Sequence, residues 1–538
     1  MRQNVKIDTL ILIIILIFHF GANFVWLSID ENPFLPDEIF HIHDYHSFYS
    51  GIKDINVIKE LPFISIKKIF LLFNISTQAW PRFVYFTSYL FTLFLGYSIF
   101  TLKISNMLYF AILIFSLYFI GRKCLDAKTG LLAAFMVSFY PGVCGISRVY
   151  GIDFPLAAMA SLTTLFLLLS ENFSRRKYSI FFGISLGIGF LVKGTILLFV
   201  SGIIGYIFFR ILKDRDLQLR RQRLRNFYLS ILTALVISSV WWFGNFKEIY
   251  CNLYVNIIGR TIGYPHTVYQ RIFYYLTHII EDISVIFLVI FIAGFFLAIK
   301  NKMRHIIEVS LWIIIPYVLL SMMAIKNGRY YAPSYPAFAL ITAYGISSIQ
   351  SKRIRRFFTI FVVIMSMALF YKLSFNIGFF PRINIVEPYR WHLAKKIPPY
   401  WIDRYCHSPV DTNYKDITEK IVGMIQKKEM RSDKKILIGL ETECVDFDTV
   451  RILHLIKYYI ITEYESYILK IEQEERFYEN ECMELDYVIV VTDVGSREGV
   501  YQEKKYFSDE KHEKLIEVMK EIAYPIRKEI VLYKNIAK

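Results

Sequence analysis

The sequence predicts a mainly α-helical, polytopic membrane helix bundle followed by a soluble C-terminal α/β domain, and three observations lead to this fold class. Of the 538 residues, 55% are hydrophobic, and the mean hydropathy is +0.41. Apolar segments of about twenty residues, the length that crosses the hydrocarbon core, recur up to residue 380. Beyond that point Lys and Glu become frequent and long apolar runs disappear. We therefore divide the chain into a transmembrane domain, residues 1–380, and a soluble domain, residues 381–538.

The net charge of +16 could indicate nucleic-acid binding, but the basic residues lie in short runs between apolar segments. This distribution is typical of a membrane protein whose loops set its orientation. The expected surroundings are therefore the lipids of the cell membrane, and nucleic acid is not an expected partner.

The first predicted span covers residues 8–28, and no small-residue cleavage site follows it. We interpret it as a retained span and not as a signal peptide that is removed. The loop after it, residues 29–103, contains two segments that are predicted to lie at the membrane interface, residues 57–72 and 83–100. Residues 83–100 are apolar enough to span, so their placement decides on which side of the membrane every later loop lies.

Ten further spans are predicted, which gives eleven if residues 83–100 do not cross. They are residues 104–121, 129–147, 153–170, 178–192, 195–211, 227–246, 282–300, 306–324, 332–349 and 357–375. The loops that would then face the cytoplasm hold twenty Lys and Arg residues if Arg210 and Lys300 at the span ends are included, whereas the alternating loops hold seven. Because cytoplasmic loops have the excess of basic residues, the eleven-span arrangement is favoured. It places the N-terminus in the cytoplasm, and the first loop and the C-terminal domain outside.

The C-terminal domain is predicted to be a small α/β unit. Residues 435–440 and 486–491 are typical of buried strands, and helices are predicted around residues 414–427, 450–470 and 509–521. Three cysteines of this domain would face the oxidising side, where two of them could pair: Cys406, Cys444 and Cys482. The sequence leaves the pairing open.

The first outer loop contains two adjacent carboxylates, Asp37 and Glu38. Such a pair is costly to hold together at a membrane surface, and it is typical of a place where a proton, a metal or a cation is handled. The alternative is a solvated acidic helix end. Three histidines, His41, His43 and His46, lie beside Asp44 and could bind a divalent metal, although their spacing matches no common zinc site. No other cofactor is expected.

Further polar residues are predicted to lie at the outer ends of spans. A third carboxylate, Asp153, and three cations, Arg82, Lys193 and Arg329, belong to this set. Any single one of these cations could be an interface anchor whose charged head reaches the headgroups. As a set they have a chemistry in common, since carboxylates can activate a hydroxyl and cations can hold a phosphate at the same depth.

Seven short motifs follow one another in this order along the chain. They are Asp37-Glu38, Trp80-Pro81, Leu95-Gly96-Tyr97-Ser98, Gly121-Arg122-Lys123, Ser147-Arg148 with Asp153, Leu186-Gly187 with Lys193, and Arg329-Tyr330 with Pro333 and Pro336. Together they resemble the GT-C glycosyltransferases, and among those the branch of protein O-mannosyltransferases and bacterial aminoarabinose transferases. The resemblance covers roughly residues 8–350. It departs from the family at Trp80-Pro81-Arg82, where the family usually has His or Lys before the proline.

The resemblance implies a role for each residue of the set. Asp37 would be the catalytic base, and Glu38 and Asp153 would position the acceptor or stabilise the positive charge of the transition state. Arg82, Lys193 and Arg329 would bind the phosphate of a polyprenyl-phosphate-linked sugar donor. The remaining two residues, Arg148 and Tyr330, would contact the substrate.

The sequence thus predicts an integral membrane glycosyltransferase that transfers a sugar to an acceptor hydroxyl on the outer face. Outside the cytoplasm there is no pool of nucleotide sugars, so the donor must cross the membrane as a lipid. The acceptor is a lipid, a glycan or a protein. Two alternatives are open: a polytopic glycan polymerase or ligase with a lipid-linked donor, and a non-catalytic lipid transporter. A transporter should have paired repeats and charges near the membrane midplane, and the predicted spans are nearly free of charge.

Overall fold

The computed structural model describes residues 2–29, 36–53, 80–247, 249–250, 268–323 and 326–375, residue 420, and residues 438–442, 487–493, 515–523 and 528–535. Contacts between Cα atoms divide the chain into two compact units. The first consists of Met1–Ser28 and Asp44–Ser408, and the second of Ile29–His43 and Pro409–Lys538. The two units are described separately below.

Helices occupy all eleven predicted spans. In chain order the helices up to residue 242 are α1 (Arg2–Ile29), α2 (Pro36–Lys53), α3 (Phe83–Leu95), α4 (Ile99–Ile104), α5 (Asn106–Cys124), α6 (Ala127–Phe139), α7 (Pro141–Ser147), α8 (Asp153–Leu169), α9 (Arg176–Val192), α10 (Ile196–Leu212) and α11 (Leu217–Trp242). After it come α12 (Val268–Ile283), α13 (Val285–Lys300), α14 (Ile306–Met322), a 3-10 helix (Gly328–Ser334), α15 (Tyr335–Ser347) and α16 (Lys352–Phe375). The predicted mainly helical membrane fold is confirmed.

Two predicted spans differ in detail from the structure. Residues 129–147 form two helices, α6 and α7, that meet at an angle of 63°. Pro141 begins α7, and a proline there cannot supply the backbone N–H that would continue α6. The segment at residues 282–300 continues α12, which the sequence did not predict, through a bend of 109° at Ser284. Within the described residues four helices are long and apolar enough to span, or six if each bent pair is one span.

Helix α3 bears on the ambiguous segment at residues 83–100. It has 13 residues, which is a length of about 20 Å and shorter than the hydrocarbon core. It ends at Gly96, whose φ of +79° is a conformation that glycine adopts without strain. The break favours the interfacial placement of this segment. The other segment predicted at the interface, residues 57–72, lies outside the described residues.

Close approach of small residues packs α9 against α11. A Cβ atom at Gly183 would lie 2.4 Å from the carbonyl oxygen of Ser230, and one at Gly187 would lie 2.8 Å from the Cβ of Ile237. In a bilayer no hydrophobic driving force favours contact between helices over contact with lipid. Close packing at small residues therefore holds apolar helices together. These close contacts fix the position of α9 and therefore of Lys193, the residue that follows its last turn.

The second unit contains a four-stranded sheet with the strand order β1-β2-β4-β3. Strands β1 (Ile438–Thr442) and β2 (Tyr487–Asp493) are parallel, and they match the two strands that the sequence predicts. β3 (Leu515–Ala523) and β4 (Lys528–Asn535) form an antiparallel pair. The prediction of a helix at residues 509–521 is therefore wrong over residues 515–521, the part of it that the structure describes. The helices predicted around residues 414–427 and 450–470, and the three cysteines of this domain, lie outside the described residues.

Candidate functional site

The site is organised around Asp153, the first residue of α8. A carboxylate in the first turn is favoured there because the exposed N–H groups give the helix N-terminus a partial positive charge. The side chain of Asp153 is nevertheless buried, with a relative exposure of 8% for the residue. A buried carboxylate needs partners to replace the water it has lost.

Two cations supply those partners. Lys193 Nζ lies 2.6 Å from Asp153 Oδ1, and Arg329 Nε lies 2.5 Å from Asp153 Oδ2. Each oxygen of the carboxylate thus faces a different cation. The structure brings together three residues that the sequence predicts for one site, although they lie on three separate elements.

Local structure explains why both cations reach the same carboxylate. Lys193 follows α9 directly, and its extended backbone directs the chain away from the helix axis. Arg329 belongs to the short 3-10 helix, whose start is capped by the side chain of Asn327. Gly328 allows this helix to lie against α12, because a Cβ atom there would be 2.2 Å from the His278 ring.

Two aromatic rings border the cation pair. Lys193 Nζ lies 4.6 Å from the ring centre of Tyr330 and 5.2 Å from that of Trp80, both at cation–π distance. The guanidinium of Arg329 lies 5.8 Å from the Tyr330 ring. Tyr330 was predicted to contact the substrate, and the structure places it beside both phosphate-ligand candidates. Trp80 was part of a motif but was not predicted to belong to the site.

The three charged groups together have a net charge of +1 in a buried place. Removing one member of a buried ion pair typically costs about 3–5 kcal/mol, since the other charge is then left uncompensated. Asp282 lines a small pocket together with Arg329 and brings a further carboxylate to the site. Lys193 and Arg329 carry N–H donors of the kind that bind phosphate oxygens, so they are candidates for a phosphate contact at the start of α8 and the end of α9.

Asp282 is a further acid at this site that the sequence did not predict. It is buried in α12, accepts a hydrogen bond from the Tyr335 hydroxyl, and lines a small pocket together with Arg329. A Cβ atom at Gly142 would lie 2.6 Å from its side chain. The only sequence signal was its position at the predicted start of a span, where a charged residue looks like an ordinary helix end.

Arg82 lies in a second cluster, with Asp44 and Tyr85. It is buried, at 2% relative exposure, and burial lowers the pKa of Arg82 while the neighbouring Asp44 carboxylate opposes that shift. The Tyr85 hydroxyl donates to Asp44 Oδ2 at 3.4 Å. The carboxylate near Arg82 is therefore that of Asp44, whereas Lys193 and Arg329 contact that of Asp153.

Arg148 contacts another set of helices. Its Nε donates to the Asn23 side-chain oxygen at 2.8 Å, and its Nη2 donates to the Ser374 hydroxyl at 2.8 Å. The guanidinium also lies 4.7 Å from the Trp26 ring. These contacts join α7 to α1 and α16, which is the arrangement of a group that holds helices together.

Asp37 and Glu38 lie in the first turn of α2 and belong, with His41, to the second compact unit. Asp37 is half-buried, whereas Glu38 and His41 are buried, at 1% and 6% relative exposure. The first turn of a helix favours both carboxylates electrostatically. The side chain of His43 lies outside the described residues. In the part of the chain that is described, no group of three or more His, Cys, Asp or Glu residues is placed to hold a metal.

The fold agrees with solved structures of lipid-dependent glycosyltransferases. ArnT from Cupriavidus metallidurans in the apo state superposes with a TM-score of 0.60 at 12% sequence identity, over 98% of both chains. The chain has the GT-C glycosyltransferase fold. The Archaeoglobus fulgidus oligosaccharyltransferase gives a TM-score of 0.54 at 12% identity, over 92% of this chain and 70% of that one.

Sequence comparisons point in the same direction over shorter stretches. Residues 79–243 match the family described as Dolichyl-phosphate-mannose-protein mannosyltransferase. An uncharacterized protein of Aquifex aeolicus is 24% identical over 315 residues, which are 54% of this chain and 60% of that protein. The predicted resemblance to the GT-C superfamily, in the branch of the O-mannosyltransferases and aminoarabinose transferases, is confirmed.

Proposed function

We propose that this membrane protein transfers a sugar from a polyprenyl-phosphate donor to an acceptor hydroxyl on the extracytoplasmic face. The observation that carries the proposal is the buried group in which Lys193 and Arg329 share the Asp153 carboxylate. ArnT of C. metallidurans has also been solved bound to undecaprenyl phosphate, with a TM-score of 0.58 at 13% identity over 97% of both chains. That ligand has the phosphate chemistry that two buried cations would recognise.

In this reaction the acceptor oxygen forms a bond to the anomeric carbon while the bond from that carbon to the phosphate oxygen breaks. The phosphate leaves as polyprenyl phosphate and gains negative charge as it does so. Lys193 and Arg329 would stabilise that charge, which is greater in the transition state than in the bound donor. Interactions of this kind, stronger in the transition state than in the ground state, accelerate the reaction.

The proton of the acceptor hydroxyl must pass to a base. Asp37 is the proposed base, on the motif that opens the resemblance, and Glu38 is proposed to support it. Asp153 is proposed to orient the two cations and to stabilise positive charge on the sugar ring. Tyr330 is proposed to border the donor, and Arg82 remains a proposed phosphate ligand through its own cluster with Asp44.

The test is binding of undecaprenyl phosphate to the purified full-length protein. Lys193→Gln and Arg329→Gln should each weaken binding by about ten- to a hundredfold, since a hydrogen bond to a charged group contributes about 1.5–3 kcal/mol. Lys177→Gln is the matched control, because Lys177 is exposed on the same helix at its other end. Equal affinity in all three variants would remove the two cations from the site. Binding without sugar transfer to any acceptor would favour the non-catalytic alternative.

A further inference from the structure

A second cavity, of about 930 Å³, lies at the end of the bundle opposite to Asp153. Helix α8 has 17 residues and is about 25 Å long, with Asp153 at its first position and the cavity-lining Leu168 at the other end. Helix α14 has the cavity at its start and leads toward Arg329 at its end. The cavity is therefore separate from the candidate site.

The cavity is bordered by two loops with strained backbone. Glu171, Asn172 and Phe173, between α8 and α9, have φ values of 51°, 56° and 61°. Lys302 and His305, between α13 and α14, have φ values of 50° and 63°. Residues other than glycine rarely adopt a positive φ, and this backbone conformation persists only where the surroundings enforce it. Such residues cluster at functional sites.

Buried contacts enforce the first of these loops. The Phe173 side chain is fully buried and lies edge-on to the rings of Phe182 and Phe227. Its carbonyl accepts a hydrogen bond of 2.8 Å from the side-chain amide of Asn226. These contacts of Phe173 fix the loop between α8 and α9, and they hold Glu171 and Asn172 at the cavity wall.

The charges on the wall are predominantly positive. Five cations line the cavity, Lys123, Arg210, Arg223, Lys302 and Arg304, against two carboxylates, Glu171 and Glu308. Both carboxylates have partners, since Lys123 lies 2.6 Å from Glu171 and His305 lies 3.0 Å from Glu308. Arg223 pairs with Asp214.

Three cations remain, and no ion pair within the described residues joins Arg210, Lys302 or Arg304 to a carboxylate. His305 adds a hydrogen-bonding group: its Nδ1 is used by Glu308, whereas its Nε2 is buried without a hydrogen-bond partner in the described part of the chain. A buried polar atom of this kind is costly unless a ligand or water satisfies it. Apolar side chains complete the wall: Leu167, Ile207, Ile299, Ile307 and Leu311.

We propose that this cavity binds a phosphate-bearing anion. Three cations without an ion pair among the described residues, together with a ring nitrogen, can bind phosphate oxygens. The apolar wall fits the acyl chain of an anionic phospholipid whose headgroup carries no positive charge. A soluble phosphate would use the same polar groups without the apolar wall. The proposal is independent of the sugar-transfer reaction, because the residues belong to the other end of the helices.

The experiment measures lipid binding to the purified full-length protein by native mass spectrometry. The probes are dioleoyl phosphatidic acid and, as the zwitterionic comparison, dioleoyl phosphatidylcholine. We expect the triple variant Arg210→Gln, Lys302→Gln, Arg304→Gln to bind phosphatidic acid at least about tenfold more weakly than the wild type. Phosphatidylcholine should bind weakly to both.

The matched control neutralises three exposed cations on the same end of the bundle that do not line the cavity: Arg215, Arg221 and Arg225. The control variant should bind phosphatidic acid within about threefold of the wild type. An equal loss of binding in both triple variants would mean that the cations attract the lipid only through general surface charge, and it would overturn the proposal. Unchanged binding in the cavity variant would also overturn it. Should that variant fail to fold, Lys302→Gln and Arg304→Gln singly should each show a partial loss. If millimolar inorganic phosphate competes with phosphatidic acid, the ligand is a soluble phosphate. If it does not compete, the ligand is a lipid headgroup.

Discussion

Asp153 and Lys193 are 40 residues apart in sequence, and their charged atoms lie 2.6 Å apart in a buried site. The contact joins the first residue of α8 to the residue after α9. Arg329 approaches the other oxygen of the same carboxylate. A group predicted to act on the sugar and two groups predicted to bind the phosphate therefore form one electrostatic unit.

The first prediction concerns Asp153→Asn. The substitution keeps the shape and removes the charge that holds Lys193 and Arg329, so we expect a loss of folding stability of about 3 kcal/mol. Undecaprenyl phosphate should bind at least as tightly as in the wild type, because its phosphate no longer competes with a carboxylate. Sugar transfer should fall by about a hundredfold. Thermal unfolding measures the loss of stability, and lipid titration measures the affinity for undecaprenyl phosphate. Weaker lipid binding than in the wild type would contradict the expected competition between the phosphate and the carboxylate.

The second prediction concerns Asp37→Asn. If Asp37 takes the proton of the acceptor, transfer should fall by about 10²–10⁴-fold while donor binding changes little. Glu38→Gln serves as the comparison and should cost less, because its proposed role is support. The measurement is the rate of sugar transfer from the donor by membranes prepared from cells that produce each variant. More than about half of the wild-type rate in the Asn variant would make Asp153 the next candidate for the base.

The third prediction concerns sidedness. The bias of basic residues toward one set of loops predicts that the C-terminal domain lies outside the cytoplasm and the loop before α11 inside. Alkaline phosphatase fused after Lys538 should be active, and the same enzyme fused after Arg225 should be inactive. The opposite activities would mean that residues 83–100 cross the membrane.

The fourth prediction concerns pH. Burial lowers the pKa of Lys326, in the loop after α14, from 10.5 to about 8, and the nearby Arg271 acts in the same direction. The unfolded chain therefore binds more protons than the folded chain between about pH 8 and 10, and folding stability gains from rising pH across that window. The difference in unfolding temperature between wild type and Lys326→Met should change across this window and stay constant below it. A difference without pH dependence would contradict the shift.

The eleven apolar segments of the membrane domain could be predicted from apolar length alone, because backbone groups in lipid must be satisfied within a helix. Helix α12 and the two bends could not. The sequence also predicted that Asp153, Lys193 and Arg329 lie at the ends of spans. Their mutual contact could not be predicted, since it depends on how α8, α9 and the 3-10 helix approach one another. Asp282 was missed for the same reason: nothing local distinguishes it from a helix end.

The wrong helix at residues 509–521 has a different cause. Lys, Glu, Leu and Met are frequent there, and all of them favour a helix by intrinsic propensity. The structure instead pairs Leu515–Ala523 with β4 in an antiparallel ladder that includes a bulge between Glu517 and Met519. Strand formation depends on the neighbour that completes the ladder, and that neighbour cannot be read from the segment itself.

The shared carboxylate of Asp153 has a consequence for turnover. If a phosphate binds to Lys193 and Arg329, as proposed, it must compete with the carboxylate that already pairs with both. Binding would then exchange one anion for another, and its net free energy would be smaller than the sum of the contacts formed. After sugar transfer, the same carboxylate would compete with the phosphate of the lipid carrier. Asp153 would thereby lower the affinity for the carrier and speed its release.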